Sequence, residues 1–301
     1  MNYYNEIKNK LLDNELYLKV KDYSKERHTV ITYFEIGKLL SEAGSKYGES
    51  IIEKYSEKLT NEVGKKYNKR TLFRIRQFYR VFSDEKLSPL GTQLTWSHYR
   101  ELLPLNDIVK IQYYINQCIR YNLSKRQLIE KIKNKEYERL SEETKSKLLT
   151  KEEPKVNDLI KNPIIIKGSN QYKNVSEKIL QKIVLEDIAS FLKELGNGFT
   201  FIENEYKIKL GDRYNYIDLL LYNINYNCYV VIELKITELK KEHIGQIQTY
   251  MNYIDKNLKR RNQDNTIGII ICKHDNQFIM EYCSDDRIFR TTYILQKKKQ
   301  L

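Results

Sequence analysis

Two acidic side chains and one lysine lie at a spacing that could support chemistry in the C-terminal half of the chain. Asp218 occurs where an alternating segment becomes continuously apolar, and Glu233 and Lys235 close the next apolar segment. Carboxylates within apolar strands are unfavourable unless a charge compensates them, and a divalent cation is a natural compensator. The alternative is that all three are ordinary strand-end residues, because a Glu-x-Lys tripeptide is common by chance.

The predicted arrangement of these residues would suit phosphodiester hydrolysis. Side chains alternate along a strand, so Glu233 and Lys235 share one face, and a short turn between antiparallel strands would bring Asp218 beside them. The two carboxylates would hold Mg²⁺, which polarises a phosphate and lowers the pKa of water, while Lys235 orients or activates the nucleophile. The backbone carbonyl of Ile232 is a further candidate ligand.

The elements that must position these residues follow from the periodicity of the sequence after Pro163. Apolar residues at steps of three and four predict helices, and alternation or short apolar runs predict strands. The order is helix, three strands, helix and strand, which predicts an α/β domain over residues 164–301 with a mixed central sheet. The predicted elements are a helix at 175–195, strands at 199–210, 214–222 and 229–234, a helix at 238–258 and a strand at 266–272.

The first half of the chain has a different character. Residues 1–150 show helical periodicity almost throughout, which predicts a separate helical domain. Residues 151–163 are charged, contain Pro154 and Pro163, and lack a sustained apolar period, so they are interpreted as a linker.

Composition favours a soluble, cytoplasmic protein. Of the 301 residues, 41% are hydrophobic, which is enough for folded cores. The apolar stretch at 267–272 is far shorter than the roughly 20 residues that span a bilayer, and no basic-then-apolar leader follows Met1. The four cysteines are widely spread without a CxxC pair, which excludes a zinc ribbon and gives no sign of a disulfide framework.

The net charge of +13 predicts an anionic partner, and the excess is concentrated in the first half. Residues 1–150 carry 29 basic and 20 acidic side chains, a net of +9, whereas residues 151–301 carry 24 and 20, a net of +4. The segment 65–80 is basic throughout and contains no acid, and Asn68 is a candidate N-cap for a helix at 69–82. The alternatives are a solvated helix face and a face that contacts DNA phosphates. The predicted DNA-binding residues are Lys69, Arg70, Arg74, Arg76 and Arg80.

The chain resembles the YhcG branch of the PD-(D/E)XK nuclease superfamily. The resemblance is carried chiefly by Asp218 with its apolar neighbours and by Glu233-Leu234-Lys235, and it covers nearly the whole chain. Ile217 stands where the superfamily's name has a proline, which is usual for this branch. Further matching segments are Phe34-Glu35-Ile36-Gly37, Leu94-Thr95-Trp96-Ser97-His98-Tyr99, Tyr137-Glu138-Arg139-Leu140, Phe191-Leu192-Lys193-Glu194-Leu195-Gly196 and Gly245-Gln246.

This resemblance implies a winged-helix-like helical N-terminal domain and a restriction-endonuclease-like C-terminal domain. It implies cleavage of DNA with Mg²⁺, for which Mn²⁺ can substitute. Gln246 and Tyr250 match a QxxxY element whose i, i+4 spacing places both on one helix face, where they could hold a phosphate or Lys235. Tyr250 could equally be a core residue. Glu186 matches an acidic ligand that the first core helix supplies in many members, although surface glutamates are common on helices.

Two rival functions stay open at this stage. One is a binding or assembly subunit that keeps the nuclease fold without cleaving, and the other is a nuclease directed at RNA. The expected partner is DNA, with no membrane, and either a homodimer or an association with other DNA-processing proteins is compatible with the sequence.

Overall fold

The computed structural model describes residues 2–19, 24–83, 94–150, 160–168, 175–283 and 285–297. The chain divides into two compact units, residues 1–137 and 138–301. This division precedes the predicted domain end at residue 150, and most of the predicted linker, at 151–159, lies outside the described residues. Arg139 explains why the second unit begins early: its guanidinium donates to the backbone carbonyl of Pro163 at 2.7 Å and pairs with Glu194.

The described residues of the first unit form helices and the turns that join them, without a strand, as predicted. Helix α4 has the predicted bounds, and the Asn68 side chain caps it by accepting from the Thr71 amide. Helix α2 approaches α4 closely at Gly37, where an added Cβ would lie 2.6 Å from the Cβ of Tyr79. Residues 84–93 lie outside the description, and the residues around them include no β-hairpin of the winged type. The helices are α1 Tyr3–Lys19, α2 Ser24–Tyr47, α3 Ser50–Glu62, α4 Lys69–Phe82, α5 Trp96–Leu102, α6 Ile108–Tyr121 and α7 Lys125–Lys133.

The second unit is an α/β domain around a mixed six-stranded sheet of strand order β1-β6-β5-β4-β3-β2. Strands β2, β3 and β4 are antiparallel neighbours, whereas β4, β5, β6 and β1 run parallel. The strands are β1 Ile164–Gly168, β2 Phe199–Leu210, β3 Arg213–Asn223, β4 Cys228–Leu234, β5 Ile267–Cys272 and β6 Ile288–Lys297. The helices are α8 Glu142–Thr150, α9 Glu177–Glu186, α10 Ile188–Leu195, α11 Lys241–Asn257 and α12 Gln277–Glu281.

The predicted order of helix, three strands, helix and strand is confirmed, with additions. Strands β1 and β6, which form one edge of the sheet, were not predicted. The helix predicted at 175–195 is two helices, because Asp187 leaves the helical conformation and its carboxylate caps α10 through the Ser190 amide.

Two hydrophobic cores cover the two faces of the sheet. One contains Leu219 and Ile232 and packs against α9 and α10, and the other contains Leu220 and Val231 and packs against α11. The antiparallel pair β3–β4 is therefore buried on both faces, which explains its nearly continuous apolar sequence. No helix within the described ranges is long and apolar enough to cross a membrane.

Candidate active site

Asp218, in the middle of strand β3, and Glu233, near the end of β4, come together where the pairing of these two strands ends. The last paired positions of the two strands are Leu219 and Ile232, so Asp218 and Glu233 are the next opposed pair. Opposed residues of an antiparallel pair project from the same face, which places both carboxylates on one side of the sheet. The Asp218 carboxylate accepts a hydrogen bond from the Leu234 amide at 2.8 Å, and this bond fixes it against β4.

Glu233 is a buried carboxylate with an incomplete set of partners. Its residue is 1% exposed, and its Oε1 atom has no hydrogen-bond partner among the described residues. Burial, followed by the negative charge of Asp218, raises the pKa of Glu233 to about 8. Burial also raises the pKa of Asp218. Two carboxylates that resist ionisation side by side are the electrostatic signature of a cation site.

Lys235 is the positive charge of this cluster. Its Nζ atom lies 3.2 Å from Oε2 of Glu233, and the residue is 8% exposed. Burial lowers the pKa of Lys235, but the carboxylates of Glu233, Glu177 and Asp218 raise it more, so the net direction is upward. The predicted convergence of two carboxylates and one ammonium is therefore present in the structure.

A third carboxylate, Glu177, reaches the cluster from the first turn of α9. Its Oε2 atom lies 3.6 Å from Nζ of Lys235. Gln181, one turn further along the same helix, donates to the backbone carbonyl of Asp218 at 3.0 Å and so ties this helix face to β3. Glu186, the acid that the resemblance implied, is exposed at the opposite end of α9. Of these two acids, Glu177 is therefore the one that lies beside the cluster.

The first half of α11 completes the surroundings of the site. Gln246 donates to the Tyr250 hydroxyl at 3.0 Å, as their spacing predicted. Burial raises the pKa of Tyr250, the hydrogen bond with Gln246 lowers it, and the charges of Glu233, Lys235 and Asp218 also act on it. His243, for which the sequence predicted no role, accepts a hydrogen bond from the Lys240 amide at the start of α11. Burial lowers its pKa, and the charge of Lys235 lowers it further.

These residues fit a divalent cation. Asp218 and Glu233 supply the oxygen ligands that Mg²⁺ prefers, and the unpartnered Oε1 of Glu233 is a buried acceptor without a donor. Within the described ranges, no three His, Cys, Asp or Glu side chains group tightly enough to hold a metal ion. Water, substrate oxygen or backbone would complete the coordination. The backbone carbonyl predicted as a further ligand belongs to Ile232, which pairs with Leu219 of β3. The backbone group that contacts the Asp218 carboxylate is the Leu234 amide.

The predicted DNA-binding residues of α4 differ in their availability. Arg76 is 6% exposed, pairs with Glu49 and stacks on Phe73 with its guanidinium carbon 4.9 Å from the ring centre. The expectation that Arg76 contacts phosphate is therefore contradicted, because its charge is buried against an acid of the same unit.

The other four cations of α4 stay at the surface of the first unit. Lys69 pairs with Glu53, and Arg80 lies 3.6 Å from Glu49. Arg70 is exposed and Arg74 half-buried, and neither forms an ion pair with any residue that the structure describes. These two arginines are consequently the most available for an anionic partner.

One curated relative and several solved structures are similar to this chain. “Putative nuclease YhcG” of Escherichia coli strain K12 is 24% identical over 283 residues, which cover 80% of this chain and 76% of the relative. A repair endonuclease from Pyrococcus abyssi aligns at 17% identity and a TM-score of 0.30, covering 41% of this chain and 49% of that one. A complex titled EndoMS-dsDNA2 aligns at 14% identity and a TM-score of 0.28, covering 44% and 50%. The aligned part thus spans about half of each solved chain.

Two domain families match separate parts of the chain. Residues 20–139 match the DUF1016 N-terminal domain, and residues 157–301 match the YhcG PDDEXK nuclease domain. The nuclease match contains Asp218, Glu233 and Lys235, together with the sheet that positions them. The chain therefore belongs to the YhcG-like PD-(D/E)XK nuclease family, with a helical N-terminal domain and a restriction-endonuclease-like C-terminal domain.

Proposed function

We propose that this nuclease hydrolyses phosphodiester bonds in DNA and depends on a divalent metal, Mg²⁺ or, in its place, Mn²⁺. The observation that carries the proposal is the meeting of Asp218, Glu233 and Lys235 where the pairing of β3 with β4 ends, with one Glu233 oxygen buried and without a hydrogen-bond partner among the described residues. A fold has no structural need for a buried and a half-buried carboxylate side by side whose pKa values are both raised. A catalytic site that binds a cation accounts for them.

Each side chain has a role that follows from its position. Asp218 and Glu233 would hold the metal, and Glu177, whose Oε2 atom lies 3.6 Å from Nζ of Lys235, would add negative charge from α9. When bound, Mg²⁺ supplies Lewis-acid polarisation of the phosphate and a lower pKa for the attacking water. Lys235 lies beside Glu233 and would orient the water and stabilise negative charge that develops on the phosphate.

The pair formed by Gln246 and Tyr250 supports this arrangement. Their hydrogen bond fixes the Tyr250 hydroxyl on the α11 face near the carboxylates. Both groups can donate to a phosphate oxygen or hold Lys235 in place. Arg70 and Arg74 of the first unit would add phosphate contacts that increase affinity without reading sequence.

The proposal is tested by cleavage of plasmid, linear, branched and single-stranded DNA, and of RNA, with Mg²⁺, with Mn²⁺ and with EDTA. Asp218→Asn and Lys235→Met should abolish metal-dependent cleavage, while Glu281→Gln, an exposed acid on α12, should cleave like the wild type. Wild-type turnover by either site variant would refute the catalytic assignment. Cleavage of RNA alone would refute the DNA assignment.

A separate measurement distinguishes the nuclease from a binding subunit with the same fold. Lys235→Met should lose turnover yet keep DNA affinity, because the ammonium acts chiefly in the transition state. If the wild type binds DNA but cleaves none of these substrates, and Lys235→Met loses that binding, the binding-subunit interpretation is correct.

A further inference from the structure

The β2–β3 hairpin extends well past the part of β3 that β4 covers. Strands β2 and β3 stay paired as far as Leu210 and Arg213, but β4 pairs with β3 only from Leu219 to Asn223. The outer part, residues 206–217, is consequently a two-stranded ribbon that begins next to Asp218 and leads away from the carboxylates. Gly211, with φ of 61°, provides the left-handed residue that its tight turn requires.

The two faces of this ribbon have different characters. One face packs against the core that α11 covers, through Ile208 and Ile217 with Tyr206 and Leu210 beside them. The opposite face carries two exposed tyrosines and two exposed lysines, and it is called the Tyr–Lys face below. Its members are Lys207, Lys209, Tyr214 and Tyr216.

The cross-strand register brings the four residues of the Tyr–Lys face together. Lys207 is opposed to Tyr216, and Lys209 is opposed to Tyr214. The Lys207 ammonium lies 3.9 Å from the centre of the Tyr214 ring, and that of Lys209 lies 5.9 Å from it. The two tyrosines remain 54% and 53% exposed. They therefore add little to the core of the domain and present their rings to solvent.

The Tyr–Lys face lies close to the candidate active site along β3. Tyr214 and Tyr216 precede Asp218 by four and two residues on this strand, and the alternation of faces is interrupted at Asp218, because Ile217 packs in the core under α11 and Leu219 in the core under α9 and α10. At about 3.3 Å per residue, Tyr216 stands about 7 Å and Tyr214 about 13 Å from Asp218. Successive nucleotides of an extended strand are separated by a similar distance, so a strand that enters the site could reach both tyrosine rings.

We propose that the Tyr–Lys face binds a single-stranded segment of DNA next to the phosphate that is cleaved. The inference rests on the proposed function and specifies its substrate class. Lysines supply the positive charge that a phosphate backbone needs, and exposed tyrosine rings provide stacking surfaces for bases. In a duplex both faces of each base are covered by neighbouring bases, so these rings can stack only on bases of an unpaired strand.

The first test measures the affinity of the full-length protein for a labelled oligothymidylate and for a duplex of equal length, in EDTA so that no DNA is cleaved. Replacing both tyrosines in Tyr214→Ala/Tyr216→Ala should weaken single-strand binding by about tenfold or more. The double Phe variant of the same positions should bind like the wild type, because it keeps the rings. Tyr282→Ala, which removes a tyrosine that is 82% exposed directly after α12, is the matched control and should change nothing.

The lysines are tested by the salt dependence of the same single-strand affinity. Lys207→Gln/Lys209→Gln should flatten the slope of log affinity against log salt concentration by about 1.4, since each phosphate contact on a single strand contributes about 0.7. An oligonucleotide with 5-iodouracil should photocrosslink to the peptide that contains Tyr214 and Tyr216. This readout reports on the hairpin even when basic residues elsewhere in the chain also bind the oligonucleotide.

Unchanged single-strand affinity in the double Ala variant, with no crosslink to the hairpin, would overturn the inference. Equal weakening of duplex and single-strand binding would overturn the assignment to an unpaired strand. These outcomes are independent of the proposed cleavage, because every binding measurement is made without metal. A protein that binds single strands through this face but never cleaves DNA would refute the proposed function and leave the inference standing.

Discussion

Glu233→Gln should stabilise the metal-free nuclease domain at alkaline pH. Glu233 is 1% exposed, and its pKa rises from 4.5 to about 8 on folding. A raised pKa in the folded state means that stability is fully present below about pH 4.5 and is lost as the pH rises through about 8. The groups that face Glu233 are Asp218, which raises its pKa, and Lys235, which lowers it.

The magnitude follows from the displacement of the Glu233 pKa. One pKa unit corresponds to about 1.4 kcal/mol, so complete ionisation of Glu233 lowers the unfolding free energy by about 5 kcal/mol. Between about pH 5.5 and pH 8.5, the wild type should lose about 3 kcal/mol of unfolding free energy through this group. The amide of Gln does not ionise, so the variant should lack this loss. Glu281→Gln, which replaces an exposed acid of the same domain, should keep it.

The assay is urea unfolding in EDTA at both pH values, followed by far-UV circular dichroism and by tryptophan fluorescence. Trp96 is the single tryptophan of the chain, so fluorescence reports on the first unit and circular dichroism on both. The pH-dependent loss of unfolding free energy should appear only in the unfolding of the second unit, which circular dichroism follows and tryptophan fluorescence does not. Saturating Mg²⁺ should restore stability to the wild type more than to the variant. Equal pH slopes in the wild type and Glu233→Gln would refute the reasoning.

Two further predictions concern residues that the structure distinguishes within one helix. Arg74→Gln should flatten the slope of log duplex affinity against log salt concentration by about 0.9 and leave the stability of the first unit unchanged. Arg76→Gln should leave this slope unchanged and lower the unfolding free energy of the first unit by about 1–3 kcal/mol, measured by urea unfolding followed by tryptophan fluorescence. Glu177→Gln should reduce cleavage and weaken the apparent affinity for Mg²⁺, whereas Glu186→Gln should do neither in a metal titration of the cleavage rate. A reversed result in either pair would contradict the corresponding placement.

Local sequence signals predicted the strands that carry the site, but they did not predict the edge of the sheet. Strand β2 has the predicted bounds because its alternation ends at the Gly211 turn. Strands β1 and β6 pair in parallel with partners far away in the sequence, so no local turn indicates their register. The break at Asp187 was missed because apolar spacing continues across it, and only the capping bond to Ser190 shows that a second helix begins there.

Arg76 shows why a run of charges does not by itself identify a binding face. Arg76 lies four residues after Leu72, a fully buried position, and residues four apart occupy the same helix face. Its helical position therefore indicated burial, whereas composition indicated an anionic ligand. Burial of the guanidinium requires a compensating acid, which Glu49 provides. Helical spacing should thus be applied before any cation is counted as a phosphate contact.

The same geometry decides which acid of α9 belongs to the site. At 100° per residue, Glu186 is rotated by about 180° from Glu177 and displaced by about 13 Å along the axis, so both acids cannot face one point. Gln181 lies on the Glu177 face and is 7% exposed, and a buried amide in a helix needs a partner, which it finds in the carbonyl of Asp218. In the sequence, the available signal was a glutamine one helical turn after an acid. It identifies the helix face that meets β3, and that face carries Glu177.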